Sequence, residues 1–418
     1  MLGDVPPEAE PSAQDQVPTP GQRAPIMALN SARILVVDDT ASARMLITAF
    51  LRNAGYENVV QAEDGLKALE EVGKAKPDLI ILDLMMPGLD GFEVCRRLRA
   101  NDDTMALPVL IQSARGETDA IKAAFEAGAS DMISKPINQI EFISRVRAHL
   151  SSQFLFTQLE MYKSRMTREL ADARAMQMEI CPDQADLEAI AADYGYHIDF
   201  RFDPSSELGG DVWGLFPVSS EVFGFYLADF SGHGVAAALN TFRLHTLLTQ
   251  STDLSQSPGQ ILGQLNRHLC GVLRTGQFAT MLLGFVDGER QKLTYAAAGA
   301  PPFMLIPSDD ALPVAFHETR GLPLGISEEV DYDNREAALP SGYRLLAYSD
   351  VVIEATDEDG RMLEQEGLQA VVERHRSQVG GPEIVRSVLD GLMAFANGEL
   401  KDDLTIVCIR DGLETAGS

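Results

Sequence analysis

RILVVDD, Arg33 to Asp39, runs straight into ASARMLITAFLRNAG, Ala41 to Gly55. The first stretch is a short β-branched run that ends in two acids, and the second spaces its apolar residues as a helix does and stops at a glycine. A strand followed by a helix is the plain reading. Outward from it the alternation recurs: NVVQA (58–62) and its helix, DLIILD (78–83) with a helix from near Phe92, PVLIQSA (108–114) with a helix from Glu117, and DMI (131–133) with a helix from Asn138. Five such units predict an α/β fold with a doubly wound, five-stranded parallel sheet and helices on both faces. Ligands of such sheets bind beyond the carboxyl ends of the strands. The residues there are Asp38 and Asp39, Asp83, Ser113 and Lys135. Three carboxylates suit one hard cation such as Mg²⁺. Asp83 is then placed as a nucleophile toward a phosphoryl group, with Lys135 as a point charge and the Ser113 hydroxyl as a hydrogen-bond partner for it. Any one of these acids alone reads as a turn or cap residue; the argument rests on the set in its order.

Residues 32–150 resemble a response-regulator receiver domain, through the pair Asp38 and Asp39, Asp83 within DLMMPGLDG, Ser113 followed by Ala114, and Lys135 followed by Pro136. The resemblance implies phosphorylation of Asp83 by a sensor histidine kinase, with Mg²⁺ held by Asp38, Asp39, Asp83 and the Met85 carbonyl, and Ser113 and Lys135 as switch residues. In one respect the chain departs from the pattern, since Met132 stands where the family usually has an aromatic residue.

The whole chain has 418 residues, long enough for two or three units. Its 34 Lys and Arg against 62 Asp and Glu give a formal net charge of -28, which argues against a nucleic-acid partner because no cation excess is available to meet phosphates. The four cysteines are far apart and lack paired metal spacing, so neither a zinc site nor a disulfide framework is expected, and a cytoplasmic location is. No apolar run approaches the roughly 20 residues that span a bilayer, so no membrane partner is expected. Residues 1–30 are Pro-rich and acidic and read as a disordered leader without signal-peptide character.

Between Ala148 and Ile180 lies a stretch without Gly or Pro. Leu155, Leu159, Tyr162, Met166, Leu170, Ala173, Met176 and Ile180 fall near a coiled-coil period, with an interruption near Leu170. Two readings stay open: a helix that pairs two copies into a homodimer, or an amphipathic helix lying on its own domain. The expected organisation is thus leader 1–30, receiver 31–150, helical linker 151–180, a second domain 181–412 and a tail 413–418.

In the second half the apolar runs are of β type, and acids sit at their ends: Asp211 in ELGGDVWG, Asp229 in ADFSGHG, Asp350 in YSDVVIEA, and Asp402 with Asp403 before LTIVCIR. In ADFSGHG, Gly232 and Gly234 let the chain turn tightly beside the acid. Read alone it is a helix cap. If the acids converge, their repulsion calls for cations among them, which predicts two Mg²⁺ or Mn²⁺ ions and metal-assisted hydrolysis of a phosphate monoester. His233 invites a general-acid role, but reads first as a turn residue that bonds a backbone carbonyl. Trp213 reads as a packing residue.

This half, from about Gln177 to Arg410, resembles the metal-dependent protein phosphatases related to protein phosphatase 2C, in the bacterial branch of sigma-factor partner switching. MQMEICP (176–182), AAAGAPPF (296–303) and GLPLGI (321–326) carry the resemblance beyond the acids. It implies an α+β fold with a β-sandwich flanked by helices. Asp229 would bridge both metals with the Phe230 carbonyl assisting, Asp211, Asp350 and Asp402 would complete the site, and Asp403 would be a second-rank ligand. The implied substrate is a phosphoserine or phosphothreonine on an anti-sigma antagonist protein. Three departures stand out: Val351 where Gly is usual, Gly214 where an acid is frequent, and Ala300 where His is common. Other readings are a catalytically weak or inactive adaptor that binds a regulator or sigma factor, favoured by Val351, and a diguanylate cyclase, disfavoured because Val212 and Trp213 follow the Gly-Gly-Asp.

Overall fold

The computed structural model describes residues 30–114, 118–232, 234–251, 253–376, 381–398 and 400–412. The expected leader, apart from Asn30, the tail and His233 lie outside these residues. The chain divides into two compact units, 1–165 and 166–418.

The first unit is built on strands β1 (Ile34–Val37), β2 (Val59–Ala62), β3 (Leu79–Asp83), β4 (Val109–Ala114) and β5 (Asp131–Lys135). They form one parallel sheet in the order β2-β1-β3-β4-β5. Helices α1 (Ala41–Asn53), α2 (Gly65–Ala75), α3 (Gly91–Arg99) and α4 (Thr118–Glu126) alternate with the strands. The central strands are continuous apolar runs because both faces are covered. Ile34, Val36, Leu79, Ile81 and Leu110 pack with Ile47 and Leu51 of α1, while Leu35, Val37, Ile80 and Leu82 pack with Ala68 and Val72 of α2 and Val94 and Leu98 of α3. The Asp64 and Asp90 carboxylates accept from the Lys67 and Glu93 backbone N–H at 2.8 Å and so cap α2 and α3, worth about 1 kcal/mol each. Gly91 opens α3 because a Cβ there would lie 2.4 Å from the Asp83 carbonyl oxygen, so glycine is what lets this helix start against the end of β3.

After β5 comes a single helix, α5, over Gln139–Glu179, 41 residues long. The helix expected from Asn138 and the stretch expected from 148 to 180 are therefore one element, which follows from the lack of any Gly or Pro to end it. Its first turns belong to the receiver core, where Phe142, Val146 and Leu150 are buried. Farther on, Leu155, Leu159 and Tyr162 are exposed.

The second unit holds two antiparallel sheets. One has β7 (Asp211–Pro217), β8 (Val222–Phe230), β9 (Ala279–Asp287), β10 (Lys292–Ala298) and β13 (Arg335–Ala338) in the order β13-β10-β9-β8-β7. The other has β6 (Tyr196–Asp203), β11 (Phe303–Ile306), β12 (Ala315–His317), β14 (Arg344–Tyr348) and β15 (Leu404–Asp411) in the order β12-β11-β14-β15-β6. Its helices are α6 (Gln184–Tyr194), α7 (Val235–Thr246), α8 (Pro258–Cys270), α9 (Val351–Glu354), α10 (Glu364–His375) and α11 (Gly381–Phe395). Period-two alternation sets the layers. Leu345, Ala347, Val407 and Ile409 share an apolar cluster with Trp213, Phe225 and Leu283 of the other sheet, and with α7 and α8. Their neighbours Leu346, Tyr348, Ile406 and Cys408 turn the other way, onto Leu368 and Val372 of α10 and Val388 and Leu392 of α11. The β-sandwich flanked by helices is the arrangement expected.

Trp213 is fully buried, with its ring 4.7 Å from that of Phe200, so it packs and presents no platform to a substrate. Gly214, next to it, faces the opposite side of β7, where a Cβ would lie 2.3 Å from the Tyr226 ring. Gly214→Ala is therefore expected to destabilise this unit by about 1–3 kcal/mol through overpacking. Trp213 is the single tryptophan of the chain, so its fluorescence during urea unfolding checks this, with a lowered midpoint expected.

Candidate functional site

At the carboxyl end of the parallel sheet the Asp38, Asp39 and Asp83 side chains meet, with one oxygen from each lying within 4.8 Å of the others. β1 and β3 are neighbours, so the ends of these two strands deliver all three acids. Lys135, at the end of β5, reaches back over β4 and donates to Asp83 Oδ2 at 2.7 Å and Asp38 Oδ2 at 3.3 Å. Asp38 is fully buried; Asp83 and Ser113 are buried. Burial raises the Asp83 carboxyl above its usual range, against the pull of Lys135, and the bonds to Asp83 and Asp38 hold the Lys135 ammonium above its usual range in spite of burial. The donors are all hard oxygens, a set suited to Mg²⁺. Met85, two residues on, has its N–H 3.4 Å from Asp83 Oδ1.

In the second unit Asp211 and Asp229 stand directly opposite one another in the β7–β8 pair, and so on the same face. Asp211 is buried and its Oδ2 accepts from the Thr405 hydroxyl at 2.5 Å. Burial, then the charge of Asp229, pushes the Asp211 carboxyl well above the usual carboxylate range. Asp229 is pushed up to about 7 by burial and by Asp350, Asp402, Asp403 and Glu354, and Asp350 to about 6 by burial, Glu354 and Asp402. The separated acids of the sequence therefore converge into one field of negative charge. It is looser than the receiver triad, the only trio among the described residues with ligand oxygens within 4.8 Å of one another.

Family models match both halves: the response regulator receiver domain over residues 34–147, and stage II sporulation protein E (SpoIIE) over residues 219–411. The chain joins a response-regulator receiver to a SpoIIE-type domain of the PP2C phosphatase fold. For the receiver, the DNA-binding response regulator MtrA of Mycolicibacterium paratuberculosis is 43% identical over 118 residues, 28% of this chain and 51% of MtrA. The dual master transcriptional regulator RpaA of Synechocystis is also 43% identical, over 28% of this chain and 48% of RpaA. The chain spans about half the length of the curated relatives it matches. For the SpoIIE-type domain, the PP2C domain of SiaA from Pseudomonas aeruginosa covers 60% of this chain and 98% of its own, at 22% identity and a TM-score of 0.53, a likeness of fold.

The departures from the family pattern find physical places in the SpoIIE-type domain. Val351 is buried in the apolar cluster of β14, β15, α10 and α11, so its side chain packs in the core. An acid at 214 would face Tyr226, on the side of β7 away from Asp211. Ala300 is buried and its carbonyl accepts from Thr319.

Asp402 is exposed, whereas Asp403 is buried and its oxygens are already engaged: Oδ1 accepts from Ser205 N at 2.6 Å and Ser205 Oγ at 2.8 Å, Oδ2 from Gly210 N at 2.5 Å. Asp403 thus holds the loop before β7. Sequence reasoning gave no role to Glu354, Thr405, Ser205 or Gln177. Gln177, near the end of α5, is buried; its Nε2 donates to the Gly209 carbonyl at 2.7 Å and its Oε1 accepts from Gly209 N at 3.2 Å. A Cβ on Gly210 would lie 2.6 Å from the Phe230 carbonyl oxygen and 3.2 Å from Asp229 Oδ1. The two glycines therefore let the loop lie close against these oxygens, and the signal in the sequence was the GGD triplet itself. Carboxylates and a carbonyl with no nitrogen or sulfur suit Mg²⁺ or Mn²⁺.

A carboxyl raised in the folded state binds its proton more tightly there than in the unfolded chain, so its contribution to stability is lost as pH rises through the folded value. For Asp229 and Asp350 that window ends near about 7 and about 6. Metal-free protein, stripped with a chelator, is expected to melt at a lower temperature at about pH 8 than at about pH 5.5, and Mn²⁺ is expected to restore more stability at the higher pH. Differential scanning calorimetry of the domain transition measures both.

Proposed function

We propose that the chain is a two-component response regulator in which phosphorylation of Asp83 by a sensor histidine kinase controls a metal-dependent serine/threonine phosphatase. The observation that carries this reading is the convergence of Asp211, Asp229, Asp350 and Asp402 into one field of charge in a chain that also holds the Asp38, Asp39, Asp83 and Lys135 cluster. In the receiver, Asp38, Asp39, Asp83 and the Met85 carbonyl would hold Mg²⁺; an Asp83 oxygen takes the phosphoryl group as the P–N bond of phosphohistidine breaks and the kinase imidazole leaves, and Lys135 and Ser113 bind the transferred oxygens.

In the second domain Asp211, Asp229, Asp350 and Asp402, with the Phe230 carbonyl, would hold two Mn²⁺ or Mg²⁺ ions. Bound there, the ions supply an activated water and neutralise the phosphoester. Thr405 fixes the rotamer of Asp211, and Asp403 and Gln177 fix the Gly209–Gly210 loop, so that the end of α5 bears on the loop beside Asp229. That contact is the physical route by which a change carried along α5 reaches the metal acids. The substrate we assign is a phosphorylated anti-sigma antagonist protein, on the sequence resemblance to the partner-switching branch. The protein acts in the cytoplasm in this reading. Leu155, Leu159 and Tyr162, which are 61%, 61% and 56% exposed at coiled-coil spacing, support a homodimer through α5. The adaptor reading rests on Val351, which packs in the apolar cluster and also lines the cavity of Asp350, Glu354 and Asp402.

Mn²⁺-dependent release of phosphate from the phosphorylated antagonist tests the reading. Asp229→Ala is expected to lose at least about 100-fold in rate, and Gln177→Ala about 10–100-fold with a higher Mn²⁺ requirement. Asp83→Asn is expected to abolish the response to the kinase. Equal rates in wild type and Asp229→Ala would overturn the metal site. For the dimer, Leu155→Glu with Leu159→Glu is expected to halve the mass seen by sedimentation equilibrium.

A further inference from the structure

Among the described residues, Gln112 alone has both polar side-chain atoms buried without a hydrogen-bond partner. It is fully buried in β4, one residue before Ser113. The register pairs it with Asp83 on one side and Ile133 on the other. Paired residues of parallel strands face the same side, so Gln112 shares the face of Asp83 at a spacing of about 4.8 Å. Leu110, two residues earlier and on the same face, packs with Phe142 and Val146 of α5. Lys135 comes from β5 and reaches Asp83 on β3, so its ammonium passes over the strand that carries Gln112. A buried amide that bonds nothing is worse than an apolar side chain of the same shape, and its place beside the reacting carboxylate gives it a use. Met132, at the position of the usual aromatic switch, packs with the cluster on the opposite face of the sheet and leaves the α5 face to another residue.

We propose that Gln112 is a positioning residue of the phosphorylated receiver: when a phosphoryl group on Asp83 draws Lys135 away from the carboxyl oxygen Oδ2, the Gln112 amide Nε2 donates to that oxygen in its place. This rests on the reading of Asp83 as the phosphoacceptor. The hydrogen bond exists in one state only, so it biases the two-state equilibrium by its full worth. The amide moves within the layer that α5 covers, so the same event repacks the start of the helix whose far end carries Gln177.

The test uses the full chain with Mg²⁺ and beryllofluoride, a tetrahedral stand-in for the phosphoryl group. Wild type is expected to bind it with a raised melting temperature, and Asp83→Asn to show no response. Gln112→Met keeps the shape and removes the amide; without beryllofluoride it is expected to melt at or above the wild-type temperature, yet to bind beryllofluoride about tenfold more weakly, the worth of one hydrogen bond. In wild type labelled with ¹⁵N-glutamine, the Gln112 side-chain amide is expected to shift downfield on binding, which decides the matter even if the variant does not fold. Unchanged affinity in Gln112→Met, or an unmoved amide resonance, overturns the proposal. So does a lower melting temperature of Gln112→Met with unchanged affinity, which marks a structural amide bonded to an internal water. A wild type that ignores beryllofluoride removes the Asp83 reading and this inference with it.

Discussion

Two carboxylates facing each other across one antiparallel pair, Asp211 and Asp229, set the terms for the second domain. At about 5 Å and an effective dielectric constant near 20 two such charges repel by about 3 kcal/mol, before burial adds its own cost. Asp350, Asp402 and Glu354 add to the same field. Much of the polar architecture around them makes sense as a response to it. Thr405 donates to Asp211, Gly210 and Ser205 donate to Asp403, and Gln177 brackets Gly209 with both halves of its amide. The donors are neutral, so they orient the acids without discharging them.

The receiver solves the same problem with an internal cation. Lys135 bridges Asp83 and Asp38, which leaves a cluster of three acids compact where the larger cluster is spread. β4 runs beneath the bridge, and α5 covers the face of the sheet on which Leu110 and Ile133 lie. The helix is uninterrupted to Glu179, and its last turns hold the glycine loop beside Asp229.

Much of this was legible in the residues. Strands such as DLIILD and LTIVCIR, buried on both faces, cannot be confused with surface helices, and an acid at the end of such a run has few places to go other than a cleft. The roles of Asp403, Gln177 and Val351 were not legible, because each depends on a partner far away in sequence. Asp403 lies 193 residues from the Gly210 N–H that it accepts. Val351 follows an acid of the cluster, yet the short helix α9 turns its side chain into the core.

By itself the sequence determined the two folds, since strand and helix periods and glycine turns are local properties written in consecutive residues. It also determined which acids stand at strand ends. Only the tertiary structure decided which of them share a field, which hydroxyls and amides hold them, and that one helix runs from the receiver core to the glycine loop. Pairing register and long-range hydrogen bonds are properties of strands brought together, and no stretch of chain records its partner.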